Sequence, residues 1–519
     1  MFLKPRFNTF SKIKVLLSAL IFLTFSCGNG PAEIPEQYHD FCSHIHRNNS
    51  VSLSEQLKPF DTLMQHQTGV FVLEDGGTSM MARAWFSEYA EKTIDVQYFI
   101  FSTDNVGLIA CDYLVRAADR GVKVRILIDD IMVDAGIHEI LTLNSHPNID
   151  IKVYNPGTNL GKNLAQKLTR FATDFNRANQ RMHNKTFTVD GKIVITGGRN
   201  IADEYFDYDH EYNFRDRDVL FLGKEVSKVQ SSFNTFWQSN LSVDVTELVS
   251  EKENTFTDSN RFERLHQYAC NPNNFWPQVR ERINNMPQTI QKLHENGAIT
   301  WVDSISFVTD LPGKKIDSST TVFSQSTRSL IELVMKAKKS VFIQSPYLIV
   351  TDVGLNLLKN AIKRSVEVKI LTNSMSSTDN MEAFSGYQRC RKQLLEAGVQ
   401  IYEFKPDAAI RYKVMTGALQ EKMNFTPIFG LHAKSMVIDG NISVIGTFNF
   451  DPRSAYYNTE CVTIVHSNKV AQGVLKGMEE EIKPENAWHT TLSYNPDALA
   501  TKSKRTNAYI KKIVPKGIL

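Results

Sequence analysis

His183 and Lys185 in HNKTFTVDG, and His432 and Lys434 in HAKSMVIDG, stand in the same order at the same spacing, each pair followed by four residues and then Asp-Gly. Residues two apart in a strand point to one face, so each His projects together with its Lys. A single copy reads as a solvated strand edge; two copies with identical internal spacing weigh against that. Each pair is followed by small residues and an asparagine, GGRN at 197–200 and GTFN at 446–449. Glycines there let the backbone approach a ligand, and the amides of Asn200 and Asn449 can donate to an oxyanion. If the two stretches face one another, two His, two Lys and two Asn converge on a pocket suited to a phosphodiester. Two ammonium groups and two amides would stabilise the extra charge of a five-coordinate transition state without a metal. One neutral imidazole can attack phosphorus while a protonated one donates to the leaving oxygen, and their proximity pushes the two apparent pKa values apart.

A nucleophilic His needs an acceptor for its other ring nitrogen. NFRDRDVLFL (213–222) offers Asp216, with Asp218 as the alternative, and YNTECVTIV (457–465) offers Glu460. Asp216 and Asp218 also read as a surface charge cluster alternating with arginines, but Asp216 follows Asn200 as Glu460 follows Asn449. Asp190-Gly191 and Asp439-Gly440, each between two apolar runs, signal tight hairpin turns, which suits Asp190 and Asp439 better than direct catalysis.

The elements that must hold these residues are themselves repeated. VQYFIFSTDNVGLIACDYLVRAADRGVKVRILIDD (96–130) lines up with IQSPYLIVTDVGLNLLKNAIKRSVEVKILTNS (343–374), each reading strand, loop, amphipathic helix, strand. Gln97 to Gln344, Gly107 to Gly354 and His183 to His432 are separated by 247, 247 and 249 positions, the mark of an internal duplication. A helix between two apolar strands supplies a crossover, which predicts an α/β fold with parallel strands buried on both faces. The predicted organisation is an N-terminal extension (28–75), a first domain (76–246), a polar linker with decoration (247–320), a second domain (321–485) and a basic surface tail (486–519).

Hydrophobic residues make up 42% of the 519 residues and charged residues 22%, the composition of a folded protein with more than one core. Against 59 basic residues stand 56 acidic ones, so any anionic partner must be met by local patches. The first 27 residues place Lys4, Arg6, Lys12 and Lys14 ahead of an apolar run from Val15 to Phe25, a signal-peptide layout too short to span a bilayer. Cys27 sits where a bacterial lipoprotein carries its acylated cysteine; the layout predicts export by a signal that is either cleaved or lipid-modified, with Cys27 the lipidation candidate. The six cysteines show no CxxC or metal spacing, and neither a disulfide framework nor a zinc site is implied.

Two HxKxxxxD motifs, each followed by a Gly-rich Asn segment, resemble the phospholipase D superfamily across nearly all of the chain beyond its first residues. GGRNIADEYF, NFRDRDVL and GTFNFDPRSAYYNTE are similar to stretches of bacterial cardiolipin synthases, most of all their C-type branch. The resemblance implies two homologous α/β sandwich domains related by pseudo-two-fold symmetry, with mixed, largely parallel sheets flanked by helices. It implies His183 and His432 as nucleophile and acid, the first-copy His183 attacking, with Lys185 and Lys434 as phosphate ligands and Asn200 and Asn449 beside them. It further implies a phosphohistidine intermediate and no metal or other cofactor. Thr447 stands where the family usually has Ser, keeping the hydroxyl, and Gly198 takes the equivalent place in the first half. Gly197 and Gly446 belong to the same motif.

The superfamily includes lipid hydrolases, phosphatidyltransferases and nucleases, so accessory features must select the substrate. The stretch 159–183 carries Leu160, Leu164, Leu168, Phe171 and Phe175 at helical spacing with Lys162, Lys167 and Arg170 between them. It reads either as a helix packed on the core or as one lying in an anionic membrane interface. The membrane-directed N-terminus and the lack of a dense basic stripe favour lipid over nucleic acid. The expectation is a membrane-associated, exported bacterial phosphatidyltransferase that moves a phosphatidyl group onto the hydroxyl of phosphatidylglycerol, giving cardiolipin. Hydrolysis to phosphatidic acid is the alternative, and an exported phosphodiesterase or nuclease a more distant one.

Overall fold

The computed structural model describes residues 52–132, 137–157, 179–249, 260–274, 295–314, 322–415 and 427–515, with positions 293 and 517 besides. The stretch 159–178 and Cys27 lie outside these residues.

Ten strands belong to the first half: β1 (Thr68–Leu73), β2 (Thr93–Tyr98), β3 (Lys123–Asp129), β4 (Ile149–Tyr154), β5 (Thr186–Val189), β6 (Ile193–Gly197), β7 (Tyr212–Arg215), β8 (Asp218–Gly223), β9 (Ser242–Asp244) and β10 (Thr300–Val302). Nine follow: β11 (Ile305–Thr309), β12 (Ser340–Gln344), β13 (Glu367–Asn373), β14 (Gln400–Phe404), β15 (Ile428–Leu431), β16 (Ser435–Ile438), β17 (Ile442–Gly446), β18 (Cys461–His466) and β19 (Ala487–Thr490). They form a nine-stranded sheet in the order β10-β1-β8-β6-β5-β2-β3-β4-β9, an eight-stranded sheet in the order β11-β18-β17-β16-β12-β13-β14-β19, and a two-stranded sheet of β15 and β7.

The two halves are built alike. The helix Asn105–Asp119 crosses from β2 to β3, and Asp352–Lys363 crosses from β12 to β13. Each starts on a side-chain cap, Asp104 accepting from Gly107 N at 3.0 Å and Thr351 from Gly354 N at 3.1 Å. Within the two large sheets, parallel pairing is confined to β2-β3-β4 and β12-β13-β14. The sheets are therefore mixed but mostly antiparallel, which corrects the expectation of largely parallel ones. The reason is local: only these strands are joined by crossovers, whereas the motif strands are joined by Asp-Gly hairpins that force antiparallel neighbours.

At both hairpins the two turn residues have positive φ, 52° and 62° at Asp190 and Gly191, 53° and 68° at Asp439 and Gly440. The carboxylates do more than tolerate the turn. Asp190 accepts from the backbone amides of Glu91, Lys92 and Thr93 at 2.7–2.9 Å, tying the hairpin to the start of β2. Asp439 does the same with Lys338, Lys339 and Ser340 at the start of β12. We expect Asp190→Ala and Asp439→Ala each to lower the unfolding free energy by about 1–2 kcal/mol in a denaturant melt, since water replaces part of what is lost. Both should leave kcat/KM within about twofold.

Each sheet has its own core of helices on one face and a core shared between the halves on the other, which also takes in the helices Val226–Trp237 and Asn468–Glu481. Ile193 and Ile195 of β6 enter the first half's own core while Val194 between them joins a shared core. Met436 and Ile438 of β16 likewise enter the second half's core and Val437 the shared one. This shared core, with Phe221, Phe342, Leu371 and Ile445 in it, explains why the strands are apolar on both faces. It also fixes the halves against each other.

The expected boundaries shift in three places. β1, within the stretch 28–75 read as an extension, is an interior strand of the first sheet. The stretch 247–320, read as linker, supplies an edge strand to each sheet, β10 pairing with β1 and β11 with β18. The stretch 486–519, read as a surface tail, adds β19 to β14 and buries Ala508 and Val514. These pieces are three to six residues long inside polar sequence, too short for periodicity to reveal. A further correction concerns the cysteines: Cys270 is disulfide-bonded, while Cys111, Cys390 and Cys461 are free. A single such bond leaves no spacing signal.

Candidate active site

The two His-Lys pairs lie just ahead of their strands rather than within them: β5 begins at Thr186 and β16 at Ser435. What places each His is pairing with the other half. β15 runs parallel to β7 with Leu431 opposite Arg215, so His432 emerges beside Asp216. Met182 bridges Thr459 in parallel, His183 N donating to Thr459 O at 3.0 Å, so His183 emerges beside Glu460. The result is a crossed arrangement. His183 Nδ1 lies 2.8 Å from Glu460 Oε2, and His432 Nδ1 lies 2.6 Å from Asp216 Oδ2. Each imidazole thus takes its carboxylate on Nδ1 from the opposite half, and the Nε2 of His432 faces Lys434 Nζ at 3.0 Å.

All eight site residues named from sequence are buried. Lys185 Nζ donates to His183 O at 2.9 Å, and Lys434 Nζ to His432 O at 2.6 Å while lying 3.0 Å from His432 Nε2. Asp218, the alternative to Asp216, instead pairs with Arg83 at 3.0 Å and with Ser79. The asparagines differ from one another. Asn200 is tied into the scaffold, accepting from Ile100 N at 3.1 Å and donating to Tyr205 Oη at 2.9 Å. Asn449 Oδ1 is buried with no hydrogen-bond partner. The small residues keep the two carboxylates close. A Cβ on Gly198 would fall 2.1 Å from Asp216 Oδ1, one on Gly197 2.3 Å from Asp218 Oδ1, and one on Gly446 2.3 Å from Cys461 O. Thr447, at the place matching Gly198, donates its hydroxyl to Glu460 Oε2.

The two carboxylates sit in different fields. Burial pushes Glu460 up to about 7, against the hydroxyls of Thr447 and Ser454 that bond it and the charges of Lys314 and Lys185. Burial acts on Asp216 too, but His432, Lys434 and Arg199 hold it well below the usual carboxylate range. Burial, with Lys185, Lys434 and Arg453 nearby, holds His183 well below the usual imidazole value. Burial and Lys434 bring His432 down to about 4, against the pull of Asp216. Lys185 falls to about 7 through burial and the Lys434 charge, and Lys434 to about 8 through burial. An anion entering this cleft would restore both ammonium charges.

Sequence reading missed several residues that shape the site. Phe99 meets His183 edge-on at 5.1 Å between ring centres, and Phe214 and Tyr205 flank His432 at 4.7 and 5.1 Å. Ser454 Oγ donates to Glu460 Oε1 at 2.7 Å, and Arg453 beside it donates to Asn179 Oδ1 at 2.8 Å. Arg453 and Ser454 stand within GTFNFDPRSAYYNTE, between Asn449 and Glu460, where their position was the signal.

Residues 88–237 and 330–482 match the family described as "Cardiolipin synthase, PLD-like domain", one match around each His-Lys pair. Cardiolipin synthase C of Escherichia coli strain K12 is 33% identical over 447 residues, 85% of this chain and 90% of that protein. A Helicobacter pylori protein of strain 26695, named only as uncharacterized, is 35% identical over 431 residues, 82% of this chain and 81% of that one. The crystal structure of phosphatidylserine synthase from Haemophilus influenzae Rd KW20 shares the fold, with a TM-score of 0.56 at 12% identity over 88% of this chain and 100% of that one. With a paired domain match, a relative aligned almost end to end and two His-Lys motifs meeting in one cleft, the chain belongs to the phospholipase D superfamily as a cardiolipin synthase-like enzyme.

Proposed function

We propose that this enzyme is a phosphatidyltransferase that makes cardiolipin, moving a phosphatidyl group from one phospholipid to the hydroxyl of phosphatidylglycerol. The observation that carries the reading is the crossed pair of imidazole–carboxylate contacts in one buried, cation-rich cleft. His183 Nε2 attacks phosphorus and the P–O bond to the headgroup breaks, its oxygen taking a proton from His432 Nε2. Lys185 and Lys434 face the non-bridging oxygens, and the amide of Asn449 is free of the scaffold contacts that hold Asn200. In the second half-reaction the acceptor hydroxyl gives its proton to His432 as its oxygen attacks phosphorus, and the P–N bond to His183 breaks. The assignment of His183 as nucleophile draws on its neighbours: three cations disfavour its protonation, whereas at His432 the ionised Asp216 pulls toward the protonated form against burial and Lys434.

We also propose that the protein is exported and membrane-associated, with Cys27 as the acylation site. The signal-like N-terminus supports this, as does the disulfide at Cys270, a bond that persists in oxidising compartments. Among the described residues no helix is long and apolar enough to cross a membrane.

The test incubates the protein, with a His183→Ala control, with vesicles of phosphatidylglycerol and phosphatidylethanolamine in EDTA, and reads the lipids by mass spectrometry. Cardiolipin formed only by the intact protein is the expected result. Phosphatidic acid without cardiolipin would make the enzyme a hydrolase, and unchanged lipids would point to a different phosphodiester.

A further inference from the structure

Six of the twelve large hydrophobic side chains exposed among the described residues fall within positions 492–513: Leu492, Tyr494, Leu499, Tyr509, Ile510 and Ile513. Scattered apolar residues are ordinary on a protein surface, but this concentration in one short stretch is not. From Ala498 to Leu519 the chain also has no acidic residue and six basic ones. The helix Lys502–Lys511 organises both features. Its inward side carries Ala508 and Lys511, both buried, the Lys511 ammonium reaching Glu382. Its outward side carries Lys502, Arg505 and Tyr509 at helical spacing, all exposed, continued by exposed Lys512 and Ile513. Lys512 Nζ lies 5.9 Å from the centre of the Tyr509 ring.

This surface is held firmly and close to the cleft. Asp497, just before the helix, accepts from Arg391 at 2.6 and 2.9 Å and from Gln388 at 2.8 Å. Lys504 Nζ donates to Ser376 O at 2.7 Å and Thr378 O at 3.2 Å. The Tyr212 hydroxyl donates to Ser377 O in the same loop, and Tyr212 packs on Phe214, the ring that flanks His432.

We propose that this C-terminal face docks on an anionic phospholipid bilayer. Lys502, Arg505 and Lys512 meet the headgroup charge, and Tyr509, Ile510 and Ile513 insert at the boundary with the acyl chains. Aromatic and aliphatic side chains standing out between cations suit an interface that is charged outside and apolar within. A nucleic-acid surface would have no use for exposed Ile510 and Ile513. The proposal rests on the reading of the substrates as phospholipids, because docking here would set the rim beside His432 against the membrane that supplies them.

The test compares the full-length protein with Tyr509→Ser/Ile513→Ser and with Lys502→Glu/Arg505→Glu/Lys512→Glu, all carrying Cys27→Ser so that no acyl anchor contributes. Partition is measured by sedimentation with sucrose-loaded vesicles of phosphatidylcholine, with or without about one third phosphatidylglycerol. Turnover is measured separately on short-chain phosphatidylglycerol below its critical micelle concentration. The parent should favour the anionic vesicles, more weakly as salt rises, and each variant should lose roughly tenfold or more of that partition. Turnover of the dispersed lipid should stay within about twofold. Variants that partition like the parent, or a parent indifferent to phosphatidylglycerol, would overturn the proposal. So would a parent held on duplex DNA at salt that frees it from vesicles, with the charge variant alone losing that hold. If the parent leaves the short-chain lipid untouched yet docks through this face, the phosphatidyltransferase reading falls and the surface stands.

Discussion

His183→Ala and His432→Ala should both lose at least ~10⁴-fold in turnover of natural phospholipid, yet differ completely with a donor whose leaving group needs no acid. Phosphatidyl-p-nitrophenol is such a donor. With it, His432→Ala should release about one equivalent of p-nitrophenolate per enzyme in a fast burst and then stall. The P–N bond to His183 can form without His432, but its breakdown needs a base to take the proton of the incoming hydroxyl. The trapped enzyme should carry an acid-labile phosphatidyl group that peptide mapping places on residue 183. His183→Ala should give no burst and no adduct. The opposite pattern, a burst in His183→Ala with the adduct on His432, would exchange the two roles. The direction follows from the site: Lys185, Lys434 and Arg453 act against protonation of His183, while at His432 only Lys434 of these does so and Asp216 opposes it.

Much of this was legible in the sequence because it is written locally and twice. The Asp-Gly turns, the capped crossover helices and the His-Lys-Asn sets each depend on residues within about a dozen positions, and the duplication gave every one of them a second witness. The carboxylates Asp216 and Glu460 were legible as acceptors for the same reason. What was not legible is that they cross. His183 and Glu460 are 277 positions apart, and their meeting depends on Met182 pairing with Thr459 and β15 with β7. Nothing in either strand alone states its partner. The same holds for the shared core: Val194 and Val437 read as ordinary alternation, and only the packed halves reveal that both strand faces are interior. The edge strands β10 and β19 lacked the length for a pattern, and the hydroxyl of Ser454 lay among residues read for other reasons.

The crossed pairs also predict an asymmetry that a symmetric duplication would not. Asp216→Asn should cost ~10³-fold or more in kcat, and Glu460→Gln only about tenfold. Asp216 is the ionised member, holding its charge through His432, Lys434 and Arg199 despite full burial. The amide would remove the negative charge that favours protonation of His432 and would allow the ring to be held by the wrong tautomer; losses near ~10⁴-fold accompany such a change in a Ser-His-Asp triad. Glu460 is pushed up to about 7 by the same burial, which outweighs the hydroxyls of Thr447 and Ser454 and the charges of Lys314 and Lys185. Near neutral pH a substantial part of it is already protonated, so glutamine replaces a group of similar shape and charge. Moreover, the carbonyl oxygen of glutamine can still accept from His183 Nδ1–H and from Thr447. The comparison is made on kcat at saturating lipid and across pH 6 to 9. Glu460→Gln should come closest to the parent at the acid end, where Glu460 itself is neutral, and fall away as pH rises through 7. Asp216→Asn should remain depressed throughout, because Asp216 stays ionised over the whole range. Equal losses from the two amides at every pH would mean that Glu460 and Asp216 carry the same charge in the working enzyme, and the division of labour between His183 and His432 would then have to come from the substrate.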